Sequence, residues 1–255
     1  MEFRHLMIDA TIYKRIFVVG DIHGKLDLLK HMLQQVEFDA CFDILVSVGD
    51  LIDRGPESAA TLAFYAQHSW FYAIAGNHEI LMADAMRYGG PFHINLEYPK
   101  PLKLWYKNGG EWALQESQSC LDKLNEIIKA MPCALTLTLN SGKTVGISHA
   151  QPHTLNWQEM QQWQGDVYDK PRWIWGRTRI KGEPSEAVSG VDYTIHGHTA
   201  TQVVERVANS LFIDTSSIDE GQGHLTFYEL NSEVEFTSIR QDQLDAEKDL
   251  GSHKF

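Results

Sequence analysis

The sequence predicts an α/β fold in which β-sheets are covered by helices. Several short apolar runs, rich in β-branched and aromatic residues, each stop at a polar corner that contains glycine. Such near-continuous apolar runs are typical of strands that are buried on both faces. Leucines recur at helical spacing between the first two runs, and this alternation of strand and helix is the pattern of an α/β layer fold. With 255 residues, one large domain over residues 1–240 is expected.

The individual elements follow from the same patterns. Strands are predicted over residues 15–20, 43–49, 70–76, 144–149 and 191–197, with further strands at 211–213, 224–230 and 234–239. Helices are predicted over residues 25–37, 58–67 and 80–87 and around 122–130. Residues 88–114 hold three prolines and the glycine pair at 109–110, so we expect an irregular or partly helical excursion there. The polar residues 241–255 are expected to form a flexible tail.

The composition argues against several classes of protein. The formal net charge is −12 and the chain has no run of lysine and arginine, so a nucleic-acid-binding surface is not expected. Cys41, Cys120 and Cys133 form no C-x-x-C pair, and we expect free thiols in a reducing compartment. No apolar stretch reaches the length of a signal peptide or a membrane helix. A cytoplasmic protein without a membrane partner is therefore expected.

Polar side chains follow five of the predicted strands at the points where those strands end. They are Asp21, His23, Asp50, Asn77, His78, His149 and His198. In an open α/β sheet, the loops at the carboxyl ends of the strands converge on one site. Carboxylate, amide and imidazole ligands without a thiolate favour manganese, iron or zinc. The sequence therefore predicts a metal site bounded by these strand ends.

The number of candidate ligands indicates two ions. Six of these side chains, all but His78, are candidate ligands. That number exceeds the needs of one tetrahedral ion, and a carboxylate shared between two ions is the economical arrangement. Asp50, in the middle of the series, is the predicted bridge. Two divalent ions about 3.5–4 Å apart can clamp the oxygens of an in-line displacement and generate hydroxide at neutral pH. Manganese is the expected ion, with iron or zinc as alternatives.

Three segments carry a resemblance to a known family. GDIHG at residues 20–24, GDLIDRG at 49–55 and GNHE at 76–79 resemble the motifs of the phosphoprotein phosphatase family of metallophosphoesterases. The small bacterial and bacteriophage lambda-type serine/threonine protein phosphatases are the members most similar in these motifs. The similarity extends over residues 13–230 and includes residues 108–110, 174–177 and 213–215. It implies a layered β-sandwich flanked by helices, and a phosphatase that acts on phosphoserine and phosphothreonine in proteins or peptides, with phosphotyrosine as an alternative.

The resemblance also divides the candidate ligands between two ions that share Asp50. The first ion would further be bound by Asp21 and His23. The second would be bound by Asn77, His149 and His198. A metal-bound hydroxide would then attack phosphorus directly, without a phosphoenzyme.

The resemblance implies roles outside the metal ligands as well. His78 would protonate the leaving alkoxide, and Asp53 would orient its imidazole. Arg54 and Arg177 would hold the phosphoryl oxygens, because a planar guanidinium offers paired donors. Asn77 and His78 would also face the substrate. The chain as a whole is negative, with a net charge of −12. These arginines and the two ions would supply the local positive charge that binds a phosphoryl group.

Two departures from the family pattern leave the substrate open. Ala75 stands where the family usually has arginine before GNHE. Residues 149–153 read HAQPH, where the small bacterial members often have His-Ala-Asp-Tyr-Pro. Within that loop His153 is expected to be a solvated residue, and His196 is expected to support a neighbouring ligand. Preference for phosphoserine and phosphothreonine over phosphotyrosine, and the oligomeric state, stay open.

Two other functions fit parts of the same pattern. A dinucleoside polyphosphate hydrolase of the same superfamily would use the same metals, but that branch typically has alanine at the position of Asp53. A non-catalytic module that binds phosphorylated partners would retain the fold, but it would not need the intact catalytic residues.

Overall fold

A computed structural model describes residues 1–92, 99–216 and 223–252, and its strands form two sheets. One sheet has the order β1 (His5–Asp9), β5 (Ala134–Thr138), β6 (Thr144–Ser148), β7 (Tyr193–His196), β9 (Ser210–Phe212) and β8 (Glu205–Val207). The other has the order β11 (Val234–Thr237), β10 (Thr226–Glu229), β2 (Arg15–Val19), β3 (Asp43–Ser47) and β4 (Phe71–Ala73).

Helices lie between and around these strands. They are α1 (Leu26–Gln35), α2 (Ser58–Gln67), α3 (Asn77–Arg87), α4 (Lys100–Lys107), α5 (Gln118–Ala130), α6 (Trp157–Gln161), α7 (Arg172–Trp175) and α8 (Gln241–Ser252). Short 3₁₀ helices span Gly110–Gln115, Val167–Asp169 and Arg179–Lys181.

Alternation along β2 shows how the two sheets pack. Ile16 and Val18 point into an apolar cluster that both sheets share, together with residues of β5, β6 and β7. Phe17 and Val19 point the other way, into a cluster formed with the helices. Because successive side chains of a strand face opposite sides, a strand buried on both faces must be apolar throughout. The fold is therefore a β-sandwich flanked by helices, as the resemblance implied.

The predicted strands and helices are present, with differences at their ends. Helix α3 begins at Asn77, three residues before the predicted start, because Gly76 accepts the first helical hydrogen bond from the Ile80 N–H. The glycine corner after β4 therefore leads directly into the helix, and Asn77 and His78 lie in its first turn. Strands β1 and β8 were not predicted; they lie at the two edges of their sheet, and most of their residues are partly or fully exposed.

The excursion over residues 88–114 is partly helical, as predicted. It contains α4 and most of the Gly110–Gln115 3₁₀ helix, while residues 93–98 lie outside the described residues. In the C-terminal tail, α8 gives residues 241–252 a helical backbone that the sequence pattern had not indicated, and Leu244 is buried in the core. Residues 253–255 lie outside the described residues. The flexibility of the tail and the domain limits at 1–240 stay predictions.

Two further expectations concern the whole chain. Cys41, Cys120 and Cys133 are free cysteines, as predicted. None of the helices in the described residues combines the length and the apolarity needed to cross a lipid bilayer.

Candidate active site

The carboxyl ends of five strands meet at one edge of the sandwich. Strands β2, β3 and β4 run parallel to one another, and β6 runs parallel to β7, so each set ends at a common edge. Hydrogen bonds join the two sets there. The His198 N–H, after β7, donates to Asp21 Oδ2, after β2, at 3.0 Å, and His149 Nδ1, after β6, lies 2.9 Å from the Val48 carbonyl, after β3. The polar residues that follow these strands are thereby brought together.

Asp50 lies at the centre of this group. Its carboxylate belongs to two clusters whose ligand atoms all lie within 4.8 Å of one another, one with His23 and His78 and the other with His149 and His198. His149 Nε2 lies 3.3 Å from Asp50 Oδ1, whereas His23 Nε2 lies 3.8 Å from Asp50 Oδ2. The two oxygens thus face different imidazoles, which is the arrangement a bridging carboxylate needs.

Two of the imidazoles are oriented by backbone carbonyls. His23 Nδ1 lies 3.1 Å from the Ile52 carbonyl, and His149 Nδ1 lies 2.9 Å from the Val48 carbonyl. A carbonyl oxygen only accepts, so each Nδ1 donates to it, and in the neutral ring each Nε2 then keeps a lone pair. A hydrogen bond from the second ring nitrogen is the usual way in which proteins orient a metal-binding histidine.

The atoms around Asn77 fit a cation. Asn77 Oδ1 lies 2.9 Å from His149 Nε2 and 2.6 Å from His198 Nδ1. His198 Nε2 is buried and has no hydrogen-bond partner. Burial, followed by the charge of His149, lowers the pKa of His198 to about 2, so its ring is neutral at physiological pH. An amide oxygen and neutral imidazoles in a buried group offer lone pairs that suit a divalent ion.

Asp21 and Asp50 differ in their electrostatic surroundings. Burial and the charges of Asp214 and Asp50 raise the pKa of Asp21 well above its ordinary value. Burial also acts to raise the pKa of Asp50, but the nearby imidazoles of His149 and His78 outweigh it and hold that pKa well below the usual range. Two buried carboxylates this close together are stabilised by cations.

Several of the site residues adopt a left-handed backbone conformation. The φ angles are 48° at His23, 51° at Asp50, 73° at Asp53, 69° at Arg54 and 69° at His198. Residues with a side chain rarely adopt these angles, and each costs about 1–3 kcal/mol that the surrounding structure must offset. Backbone strain of this kind concentrates at functional sites. There it gives side chains directions that they could not take in a regular helix or strand.

Two glycines are required because carboxylates approach their backbone closely. A Cβ atom at Gly76 would lie 2.1 Å from Asp50 Oδ1, and one at Gly197 would lie 2.0 Å from Asp21 Oδ1. Neither distance is compatible with a side chain. These contacts explain why glycine precedes Asn77 and His198 in the sequence.

Glu79 anchors the loop that carries Asp50, and sequence reasoning missed this role. Its carboxylate accepts N–H donors from Gly76 at 2.7 Å, Asp50 at 2.9 Å, Leu51 at 2.9 Å and Ile52 at 3.3 Å. Burial, followed by the charge of Asp50, raises its pKa to about 7. The one signal in the sequence was its place at the end of the GNHE motif.

His78 and Asp53 form the predicted pair. His78 Nδ1 lies 2.7 Å from Asp53 Oδ2, and both side chains are buried. Burial alone lowers the pKa of His78, but the charges of Asp50 and Asp53 and the hydrogen bond to Asp53 outweigh it, so that pKa lies above its ordinary value. The Asp53 side chain thus favours the protonated imidazolium.

The two predicted arginines lie in different surroundings. Arg54 is exposed and spans the cluster, with Nη1 2.8 Å from His23 Nε2 and Nη2 3.1 Å from His78 Nε2. Arg177 is also exposed, and its Nη1 donates to Thr199 Oγ1 at 3.1 Å. Thr199 directly follows His198, so this contact tethers the Arg177 side chain beside a candidate ligand.

The loop after His149 supports the segment that carries Arg177. The buried Gln151 Oε1 accepts the N–H donors of Thr178 and Arg179, each at 3.2 Å. An acceptor is therefore retained at the position where the similar family has aspartate. His153 lies farther along the loop, is half-buried, and has an unpartnered Nδ1.

His196 and Ala75 point away from the polar cluster. His196 Nδ1 donates to the Ser148 carbonyl at 2.8 Å and its Nε2 lies 2.8 Å from Thr194 Oγ1, so both ring nitrogens are occupied beneath the strand that ends at His149. Ala75 is fully buried in the helix-side core, and its N–H donates to the Pro132 carbonyl.

Comparisons with known proteins agree with this geometry. A family model described as calcineurin-like phosphoesterase matches residues 14–202. Serine/threonine-protein phosphatase 2 of Escherichia coli (strain K12) is 32% identical over 235 residues, which cover 89% of this chain and 98% of that protein.

Two further similarities concern proteins named for diadenosine or dinucleoside tetraphosphate. The symmetrical bis(5'-nucleosyl)-tetraphosphatase of Pseudomonas fluorescens (strain Pf0-1) is 43% identical over 72 residues, which cover 28% of this chain and 25% of that protein. The crystal structure of a putative diadenosine tetraphosphatase superposes with a TM-score of 0.67 at 18% identity, covering 93% of this chain and 98% of that one. At that identity the superposition supports the fold alone.

Proposed function

Because the chain belongs to the calcineurin-like phosphoesterase family and is a phosphatase of the metallophosphoesterase superfamily, we propose that it hydrolyses phosphoserine and phosphothreonine in proteins. The proposed cofactors are two divalent ions, with manganese as the first choice. When bound, such ions activate a water molecule at neutral pH and neutralise charge on the phosphoryl oxygens. The proposed ligands are Asp21, His23, Asp50, Asn77, His149 and His198.

The observation that carries the proposal is the Asp53–His78 pair beside the metal cluster. His78 Nδ1 is engaged by Asp53 at 2.7 Å, which leaves Nε2 on the side of the cluster, 3.8 Å from Asp50 Oδ2. A protonated imidazole in that place can donate its Nε2 proton to the departing serine or threonine oxygen. Asp53 keeps the ring in this tautomer and stabilises its positive charge.

Two arginines are proposed to bind the phosphoryl group. The Arg54 guanidinium lies beside both imidazoles, with Nη1 2.8 Å from His23 Nε2 and Nη2 3.1 Å from His78 Nε2. Arg177 is held beside Thr199 by one hydrogen bond and keeps other N–H donors for a ligand. Both side chains are exposed and can reach a substrate without rearrangement of the core. Bidentate donation to phosphoryl oxygens is the strength of a guanidinium.

The extent of similarity favours a protein substrate over a dinucleotide. The Escherichia coli protein named as a serine/threonine phosphatase matches almost end to end. The protein named as a tetraphosphatase matches over about a quarter of each chain. Asp53, which the nucleotide branch typically replaces with alanine, is present here and paired with His78. Dinucleoside tetraphosphate hydrolysis is the second candidate, since the protein named as a tetraphosphatase is 43% identical over the 72 residues that match.

A side-by-side assay tests the proposal. Purified protein with Mn²⁺ is given a phosphoserine peptide, a phosphothreonine peptide, a phosphotyrosine peptide and diadenosine tetraphosphate, and kcat/KM is measured for each. We expect the phosphoserine or phosphothreonine peptide to give the highest value. A higher value for diadenosine tetraphosphate would contradict the substrate assignment. Inactivity of folded protein with every divalent metal tried would contradict the enzymatic proposal itself.

The role of His78 has its own test. His78→Asn should keep the bound metal, measured by elemental analysis, and lose about 10²–10⁴-fold in kcat on a phosphopeptide, which is the usual contribution of a positioned acid. An unchanged kcat would refute the assignment of His78 as the proton donor.

A further inference from the structure

Two tryptophans contact the carboxylate that pairs with His78. Trp105 Nε1 lies 3.1 Å from both Asp53 oxygens, and Trp112 Nε1 donates to Asp53 Oδ1 at 2.7 Å. Asp53 and Trp105 are fully buried, and Trp112 is partly buried. Both tryptophans lie in the excursion over residues 88–114, where the sequence predicted only an irregular or partly helical path.

The partners of Asp53 are mostly uncharged. In addition to the indoles, its carboxylate accepts from His78 Nδ1 at 2.7 Å, and its backbone N–H donates to Ser58 Oγ. Within the described ranges, no lysine or arginine forms an ion pair with it. A nearby cation would compete with His78 for the negative charge, whereas an indole N–H satisfies a lone pair without neutralising it. The carboxylate is therefore fixed in place while its charge stays directed at the imidazole.

The segment that carries the two indoles packs closely against the loop of Asp53 and Arg54. The Gly109 carbonyl accepts the Arg54 N–H at 3.3 Å, and a Cβ at Gly109 would lie 2.8 Å from that nitrogen. A Cβ at Gly110 would lie 2.4 Å from Trp105 Nε1. The Trp105 and Trp112 rings meet edge to face, with centroids 6.0 Å apart. The glycine pair that resembled the family pattern thus lets the segment pack directly against the Asp53–Arg54 loop.

We propose that Trp105 and Trp112 are positioning residues for proton donation, an indole pair that holds Asp53 so that His78 Nε2 points at the leaving oxygen. The proposal rests on the proposed function, in which His78 is the acid. Asp53 itself has a left-handed φ of 73°, a conformation that persists only where the surrounding structure fixes it. The two indoles contribute such contacts from a segment that holds none of the candidate metal ligands.

The test compares substrates whose leaving groups differ in their need for a proton. Trp105→Phe and Trp112→Phe are assayed with phenyl phosphate, a poor leaving group, and with 2,4-dinitrophenyl phosphate, a good one. We expect kcat on phenyl phosphate to fall about tenfold, a fraction of the full contribution of an acid, and kcat on the dinitrophenyl ester to change by less than about threefold. KM and bound metal should stay near the values of the unmodified protein.

Trp157→Phe is the matched control. Trp157 is as fully buried as Trp105, and its Nε1 donates to Thr136 Oγ1 at 2.7 Å. It should show no difference between the two leaving groups. A uniform loss on both esters in the Trp105 and Trp112 variants would overturn the proposal, because it would indicate packing alone.

Two further variants keep the test decisive. If Trp105→Phe does not fold, β-(3-benzothienyl)alanine at position 105 keeps the bicyclic shape and removes only the N–H. This variant should show the same dependence of kcat on the leaving group. A variant without that dependence would overturn the proposal. His78→Asn separates the two hypotheses. If the loss in kcat of His78→Asn depends on the leaving group and that of the tryptophan variants does not, the indole proposal alone fails. If the loss in kcat of His78→Asn does not depend on the leaving group, the acid role of His78, on which the indole proposal rests, fails as well.

Discussion

Gly76→Ala should impair the metal centre without straining the backbone. Gly76 has φ −90° and ψ −175°, which alanine adopts freely, so the cost of the substitution comes only from contact. The new methyl group would lie 2.1 Å from Asp50 Oδ1 and 2.4 Å from the Asp50 nitrogen. Ordinary van der Waals contact begins near 3.4 Å. The proposed bridging carboxylate must therefore move by about 1 Å, a displacement that typically costs about 10²-fold in rate.

The loop around Asp50 has little freedom to absorb that movement. Its backbone N–H and those of Leu51 and Ile52 all donate to Glu79, and Asp50 Oδ1 accepts the His78 N–H at 3.0 Å. Displacing a residue held in this way should also weaken metal binding by about 10–100-fold. Both effects would appear together, as a lower kcat and a higher Mn²⁺ concentration for half-maximal activity.

Gly142→Ala is the matched control for this substitution. Gly142 has φ +80° and no atom within 4 Å of its added Cβ, so alanine there brings strain without contact. We expect it to lower the free energy of unfolding by about 1–2 kcal/mol and to leave kcat and metal affinity unchanged. The reasoning would be refuted if Gly76→Ala kept the metal affinity and turnover of the unmodified protein.

Four further predictions follow from other parts of the site. Glu79→Gln replaces one acceptor oxygen with a donor that faces backbone N–H groups, and should lower the free energy of unfolding in urea by about 1–3 kcal/mol; an unchanged midpoint would contradict the anchoring role. Gln151→Ala should raise KM severalfold with little change in kcat, because the segment of Arg177 loses its acceptor, whereas Gln151→Glu should restore KM. Burial lowers the pKa of His196 from its ordinary 6.5 to about 3, so its contribution to stability is complete above pH 6.5 and is lost as the pH falls toward 3. The free energy of unfolding of His196→Asn should therefore depend less steeply on pH in that window than that of the unmodified protein. A chelator should abolish turnover, and added Mn²⁺ should restore it; turnover that survives complete metal removal would contradict a metal-dependent site.

The candidate ligands were predictable because their signal is local. Each lies within a few residues of a strand end, and glycine marks the corner next to it. The strand pattern and the glycines are read from one stretch of chain, and the convergence of strand ends follows from parallel pairing. The layered α/β fold was predictable for the same reason, since β2, β3 and β6 are buried apolar runs.

The supporting contacts were not predictable, because they join distant parts of the chain. Trp105 lies 52 residues from Asp53, and no local pattern connects them. Gln151 acts 27 residues away, on Thr178, through a loop whose sequence departs from the similar family. Strand β1 was missed because its apolar run, Leu6–Ile8, is only three residues long; the strand lies at the edge of its sheet, where Leu6 and Met7 are exposed. Helix α8 was missed because its polar composition conceals the burial of Leu244.

Anomalous scattering from crystals grown with Mn²⁺ tests the central claim most directly. The proposed function requires two strong peaks per chain, about 3.5–4 Å apart, with Asp50 between them. One peak should lie beside Asp21 and His23, and the other beside Asn77, His149 and His198. A single peak, or peaks away from Asp50, would contradict the two-ion centre on which the proposed phosphatase chemistry depends.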